Sequence, residues 1–253
     1  MTTTALATGK LGKLPVRTDV RTLRLKRYVD ETKLPAPPPA LDLTAHVAEW
    51  PMYANDRRGD CTTAAAGHMI EAWTAAAAGE AVEISESAVL RAFDEVRVVD
   101  RLTGEEGAIE LDVLRFWRKH GIGRHRIGAF AAVTRYDHEL VRVAAWLFGG
   151  LYIGLALPLS ARRQEVWDWT GSLGGDAKPG TWGGHAVDVV RFDASGLSVV
   201  TWGRLQVMTW SFWDRYCDEA YAIISRDFLV HGRAPNGFDL PALKGDLELV
   251  TAP

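Results

Sequence analysis

At 253 residues, with 47% hydrophobic and 24% charged side chains, the chain is long enough to bury a substantial core and ordinary in composition for a globular protein. A net charge of −3 argues against a polyanion-binding body, and no apolar run is long enough to span a bilayer, so no membrane partner is expected. Two cysteines, Cys61 and Cys217, make no disulfide framework, and the histidines lack metal spacing. No metal or cofactor is therefore expected. The N-terminus lacks the order of a signal peptide, so the expected location is the cytoplasm, with a virion as the alternative.

The charge is unevenly placed. Residues 1–40 hold eight Lys and Arg against three acids, a balance of +5 that leaves −8 on the rest. Leu34-Pro35-Ala36-Pro37-Pro38-Pro39 then reads as an extended spacer. Residues 1–40 thus form a basic, Pro-rich arm ahead of a single domain, 41–253. With Tyr28 its sole aromatic, the arm fits self-packing on the acidic body, self-assembly or a protein partner better than nucleic acid.

Trp50-Pro51 is a fixed bend. A helix follows from Cys61 to about Ala78, with Met69, Ile70 and Trp73 apolar, Asp60 as its cap and Gly79 as its stop. Ser85 or Ser87 opens a second helix through Leu90, Phe93 and Val96. A third carries Ile109, Val113, Leu114 and Trp117 and ends at Lys119-His120-Gly121. These make a helical half, about 54–135. Residues 122–128 lack the spacing of a dinucleotide or phosphate loop and read as a connector.

Asp137-His138 starts a helix through Val141, Ala144 and Trp146 that breaks at Gly149-Gly150, and Leu151–Leu157 is a buried strand. A long loop, 159–184, holds Trp167, Trp169 and Trp182 and leads to a strand starting at His185. A hairpin around 193–196 and a strand to Trp202 follow. Met208–Glu219 reads as an amphipathic helix around Trp210, Phe212, Trp213 and Tyr216, with Cys217 on it. Tyr221–Ser225 is the last strand of a β-rich half, about 136–226, and 227–253 is a tail.

The chemistry centres on Cys61, which opens a helix after the polar turn 55–60. A helix N-terminus carries partial positive charge, so a thiol there is biased toward thiolate. His185 begins a strand 124 residues later, behind Gly183-Gly184. A cysteine on a helix start and a histidine on a distant strand make a nucleophile–base pair; a buried structural cysteine is the plainer alternative.

These residues, in this order, resemble the papain-like cysteine peptidases. Asn55 stands six residues before the cysteine, where that family has a glutamine of the oxyanion hole. Trp202-Gly203 matches the end of its Asn-Ser-Trp-Gly strand. The orienting Asn is missing: its place falls on Val200 when counted back from Trp-Gly, or on Thr201 when counted from His185.

The resemblance implies an α+β papain-like fold, a helical half carrying the cysteine packed against a β-rich half carrying the histidine. It implies a Cys61–His185 dyad that cleaves a peptide or isopeptide bond through a thioester, with Asn55 in the oxyanion hole and Thr201 as third-member candidate. Trp202, Trp182, Gly183 and Gly184 become the substrate-binding candidates. The departure at the Asn position keeps open a catalytically silent module for binding or assembly, for example a virion or scaffold component. A cell-wall amidopeptidase and a transglutaminase-like acyl transfer are the other readings.

Overall fold

The computed structural model describes residues 9–27 and 36–228; Tyr28, Leu34-Pro35 and the tail beyond Phe228 lie outside them. In chain order, β1 (Leu23–Arg24) and β2 (Leu41–Asp42) precede α1 (Cys61–Ala78) and α2 (Glu86–Val96). A small hairpin of β3 (Val98–Val99) and β4 (Glu106–Gly107) leads to α3 (Glu110–Lys119). Then come β5 (Ile127–Ala132), α4 (His138–Phe148), β6 (Leu151–Leu157) and β7 (Val166–Trp167). The chain continues through β8 (Gly183–Phe192), β9 (Gly196–Thr201), β10 (Arg204–Thr209), α5 (Trp210–Tyr216) and β11 (Cys217–Ser225).

The fold is α+β, as expected. One mixed sheet runs β1-β5-β11-β6-β8-β9-β10-β7, with β2 against β8. Its central pairs are antiparallel, and the short end pairs β1/β5 and β10/β7 are parallel. Because side chains alternate along a strand, the sheet serves two cores. Ile153, Leu155, Val187, Val189 and Val199 pack with α4 and α5 on one face. Tyr152, Val190, Val200, Tyr221 and Ile223 pack with α1 to α3 on the other.

α1 is the central element. It is buried on every side from Cys61 to Ala75, which its run of small alanines permits, and it packs across β8. Trp73 stacks on Trp117 and donates its indole N–H to Phe148 O (3.1 Å), and Tyr152 Oη donates to Thr62 O (2.8 Å). Helix and sheet are thereby held in one register. Gly79, at φ 77°, ends α1 in the left-handed conformation.

Several expectations are corrected. Asp60 stands at the N-cap of α1, but its side chain caps nothing; the Asp60 carbonyl takes the Thr63 and Ala64 N–H groups instead. The supposed connector 122–128 runs into β5, which pairs with β11, so strand structure of the β-rich half begins before residue 135. Met208 belongs to strand β10, and the aromatic helix shrinks to Trp210–Tyr216, capped by Thr209. Cys217 starts β11 rather than sitting on a helix. The strand expected from His185 starts two residues earlier, at Gly183.

The arm is part of this body from Gly9 to Arg27. Leu23–Arg24 joins the sheet as β1 and Leu25 is buried in the core. Arg17 pairs with Asp112, and Asp19 with Arg115, both partners on α3.

Candidate active site

Cys61 lies at the α1–β8 crossing, against the residue that follows His185. The Ala186 N–H, one residue past the histidine, lies 3.5 Å from Cys61 Sγ and donates to it. His185 Nε2 is 2.6 Å from Thr201 Oγ1, while Nδ1 has no hydrogen-bond partner. If the Thr201 hydroxyl accepts from Nε2–H, the lone pair of the neutral ring sits on Nδ1. Of the two positions weighed for the third member, Thr201 reaches the imidazole and Val200 turns into the helical-side core.

Trp202 covers the ring. Its indole stacks on His185 with centroids 4.5 Å apart and planes 23° apart. The backbone makes this possible: Trp202 (φ 47°) and Gly203 (φ 69°) both adopt positive φ in the two-residue turn joining β9 to β10. Trp182 leans on Trp202 at 5.4 Å. Of the other loop tryptophans, Trp167 is buried against Phe212 and belongs to the core, whereas Trp169 bonds within its own loop.

Asn55 is buried, following Tyr53 and Ala54 at positive φ. Its side-chain N–H group donates to Asp60 Oδ1 (3.1 Å) and Arg58 O (3.2 Å). The amide expected at an oxyanion hole is thus engaged with the turn in this state.

Sequence reasoning missed what fills the cleft: residues 10–14 of the arm run through it. Lys10 N–H donates to Asn55 O (2.6 Å), and Trp202 Nε1–H to Lys10 O (3.1 Å). The Gly12 and Lys13 N–H groups converge on Gly184 O (3.3 and 3.1 Å). On the opposite wall Ala108 N–H donates to Gly12 O (2.8 Å) and Leu14 N–H to Ala108 O (2.9 Å), a parallel bridge. Gly183 packs on Leu11. The arm therefore touches Gly183, Gly184 and Trp202, three of the four residues singled out for substrate, and it lines the cleft with Trp182, the fourth. Space remains on both flanks: a cavity of about 820 Å³ toward Glu105 and Gly107, and one of about 550 Å³ toward Arg162 and Arg204.

This cover reverses the expected electrostatics. Burial pushes the Cys61 thiol up to about 12, against the opposing pull of the Ala186 and Gly12 N–H groups. Burial likewise brings the His185 imidazole down to about 3. Beneath the arm, the helix N-terminus does not make a thiolate; desolvation outweighs it. Asp60, buried beside Asn55, is raised to about 7 for the same reason.

The site thus holds a thiol, an imidazole on the facing strand and a groove that accepts extended backbone on both walls. The comparison with solved structures decides the architecture. Xylellain, a cysteine protease from Xylella fastidiosa, aligns over 88% of this chain and 99% of its own, with a TM-score of 0.64 and 15% identity. The fold is papain-like. Procathepsin B S9 from Trypanosoma congolense aligns over 88% of both chains (TM-score 0.60, 12% identity). Digestive procathepsin L 3 from the larval midgut of Tenebrio molitor aligns over 87% of this chain and 76% of its own (0.56, 12%). No protein-family model matches the chain, and no curated protein sequence matches it significantly. The papain-like fold is thus carried on a sequence with very few shared identities, and two of these three structures are proenzymes.

Proposed function

We propose that the chain is a papain-like cysteine peptidase held closed by its own N-terminal segment. The observation that carries this is the course of residues 10–14, which lie over Cys61 and bond to both walls of the groove as an extended peptide would. The substrate class is then a peptide or protein chain.

When the segment leaves, water reaches the dyad and the desolvation that holds thiol and imidazole neutral is relieved. His185 Nδ1 takes the Cys61 proton, with Thr201 holding Nε2–H and Trp202 limiting the ring's swing. The thiolate attacks the scissile carbonyl. The Cys61 backbone N–H, at the start of α1, and the Asn55 amide, freed from Asp60, stabilise the oxyanion. His185 protonates the leaving amine, and water then resolves the thioester.

The test is alkylation by iodoacetamide at neutral pH with mass mapping. Gly12→Val puts a side chain where the Gly59 carbonyl already stands, so it blocks seating of the segment. Labelling of Cys61 is expected to rise at least roughly tenfold over the parent chain, with Cys217 unchanged, and His185→Ala to abolish the gain. The second reading, a silent module, is favoured by the absence of a Cys61–His185 hydrogen bond and of an Asn third member. Slow labelling in Gly12→Val, together with no hydrolysis of a mixed peptide library, would select it.

A further inference from the structure

Lys13 is a cation sealed inside the cleft. Its side chain is 1% exposed, and Nζ lies 2.9 Å from Asp218 Oδ2 and 3.0 Å from Glu219 Oε1. Glu110, the first residue of α3, is fully buried, and neither of its carboxylate oxygens has a hydrogen-bond partner. Tyr221 Oη donates to Glu219 Oε2 (2.8 Å), fixing that carboxylate. Gly154 of β6 gives passage to the stem: a Cβ there would overlap Lys13 Cε and come within 2.7 Å of Asp218 Oδ1. α3, β6 and the start of β11 thus build the pocket around a long, thin, positively charged side chain.

Its charge balance is lopsided. Burial pushes Glu110 and Glu219 above the ordinary carboxylate range, helped by the charges of Glu219 and Asp218 on Glu110 and of Asp218 on Glu219. Lys13 is desolvated too, yet the charges of Glu110, Glu219 and Asp218 outweigh this and keep it firmly protonated. Ionised carboxylates taken out of water cost several kcal/mol apiece unless a partner compensates them. With the segment gone, an apolar side chain would leave these acids either ionised without a partner or forced to take up protons, whereas a lysine or arginine restores the pairing. The pocket also sits where the backbone is clamped: Lys13 N–H donates to Gly184 O, its neighbours Gly12 and Leu14 bond to Ala108, and the Gly12 N–H acts on Cys61 Sγ.

Resting on the peptidase reading above, we infer that Glu110, Asp218 and Glu219 form a specificity pocket for a basic side chain of the substrate. Lys13 fills it in the closed state, and the selected lysine or arginine lies within two residues of the bond that is cut. The sequence holds a hint in the repeat Gly9-Lys10-Leu11-Gly12-Lys13-Leu14, whose second lysine fills the pocket.

The test separates binding from catalysis. The full-length chain carrying Gly12→Val, Lys13→Ala and Cys61→Ala is titrated with a fluorescein-labelled peptide, Lys-Leu-Gly-Lys-Leu, and with the same peptide bearing norleucine at its second lysine. Lys13→Met, which keeps the stem's volume, replaces Lys13→Ala if that variant melts early. The lysine peptide is expected to bind roughly tenfold or more tightly, and Asp218→Asn with Glu219→Gln to erase the difference. Equal or tighter binding of the norleucine peptide, or no binding of either, overturns the inference. With Cys61 restored, cuts in a mixed peptide library should fall within two residues of a Lys or Arg. Lysine-selective binding without any cut keeps the pocket and sinks the peptidase; cutting without basic preference does the opposite.

Discussion

Thr201 and Asp60 show how much a single buried group decides at this site. Among the described residues Thr201 is the one hydrogen-bond partner of the His185 ring, at 2.6 Å. Thr201→Val keeps the shape but leaves a buried ring nitrogen unbonded, and should lower stability by about 1–3 kcal/mol in urea titration, while Thr201→Ser should retain most of it. Asp60 carries a sharper signature. Its pKa of about 7 exceeds that of an unfolded aspartate, so the folded state binds the proton more tightly. Its contribution is whole below the ordinary carboxylate range and fades as pH climbs to about 7. His68 and His185, lowered by burial to about 4 and about 3, work the other way, losing stability as pH falls below the ordinary histidine range. The difference between the parent and Asp60→Asn isolates the aspartate: the parent should lose ground steadily from pH 4 to 7, by at most about 4 kcal/mol, in denaturation curves across that range. A flat difference would mean that the carboxyl is solvated.

At the scale of elements, the site is a crossing of α1 and β8 covered by a short extended segment. The pH–rate profile of Cys61 alkylation reads that cover directly. In the parent chain reactivity should rise only in strong alkali, as a thiol held near 12 dictates, and Gly12→Val should carry the rise toward neutrality. α1 itself owes its place to packing, and Trp73→Ala should destabilise the fold by about 3–5 kcal/mol in thermal or urea unfolding, since Trp73 is wholly buried on Trp117. The start of α1 and the strand through His185 were legible because their signals are local: a turn, a run of alanines, a β-branched stretch. β5 was not, because Gly128, Ala129, Ala131 and Ala132 have poor strand propensity and are held by their neighbours β1 and β11. The state of the thiol was misread for a related reason. A helix start argues for thiolate only if nothing lies over it, and what lies over it comes from 49 residues earlier in the chain, at Gly12.

Across the whole molecule, the charge imbalance seen in the sequence resolves into specific pairs. Arg17 and Asp19 dock on α3, and Lys13 enters a pocket whose acids lie 97, 205 and 206 residues away. Such distances leave no trace in a local pattern, so basic character was visible while its target was not. Surface pairs such as Arg17–Asp112 are worth little and are screened by salt, whereas the sealed Lys13 contacts are not. Raising salt to about 1 M should therefore leave Cys61 slow to alkylate in the parent, and Lys13→Ala should speed it. Rapid labelling in salt alone would place the holding force at the rim.

The pairing of Leu23–Arg24 with β5 has a kinetic consequence. When residues 10–14 lift out, the sheet still anchors the chain a few residues downstream, so the segment stays near the groove at an effective concentration on the order of millimolar. Dilution does not open such a latch, and a freely diffusing inhibitor at micromolar levels is outcompeted by it. Lasting exposure of the thiol requires that the leash be severed or the lifted segment 10–14 be captured by another molecule.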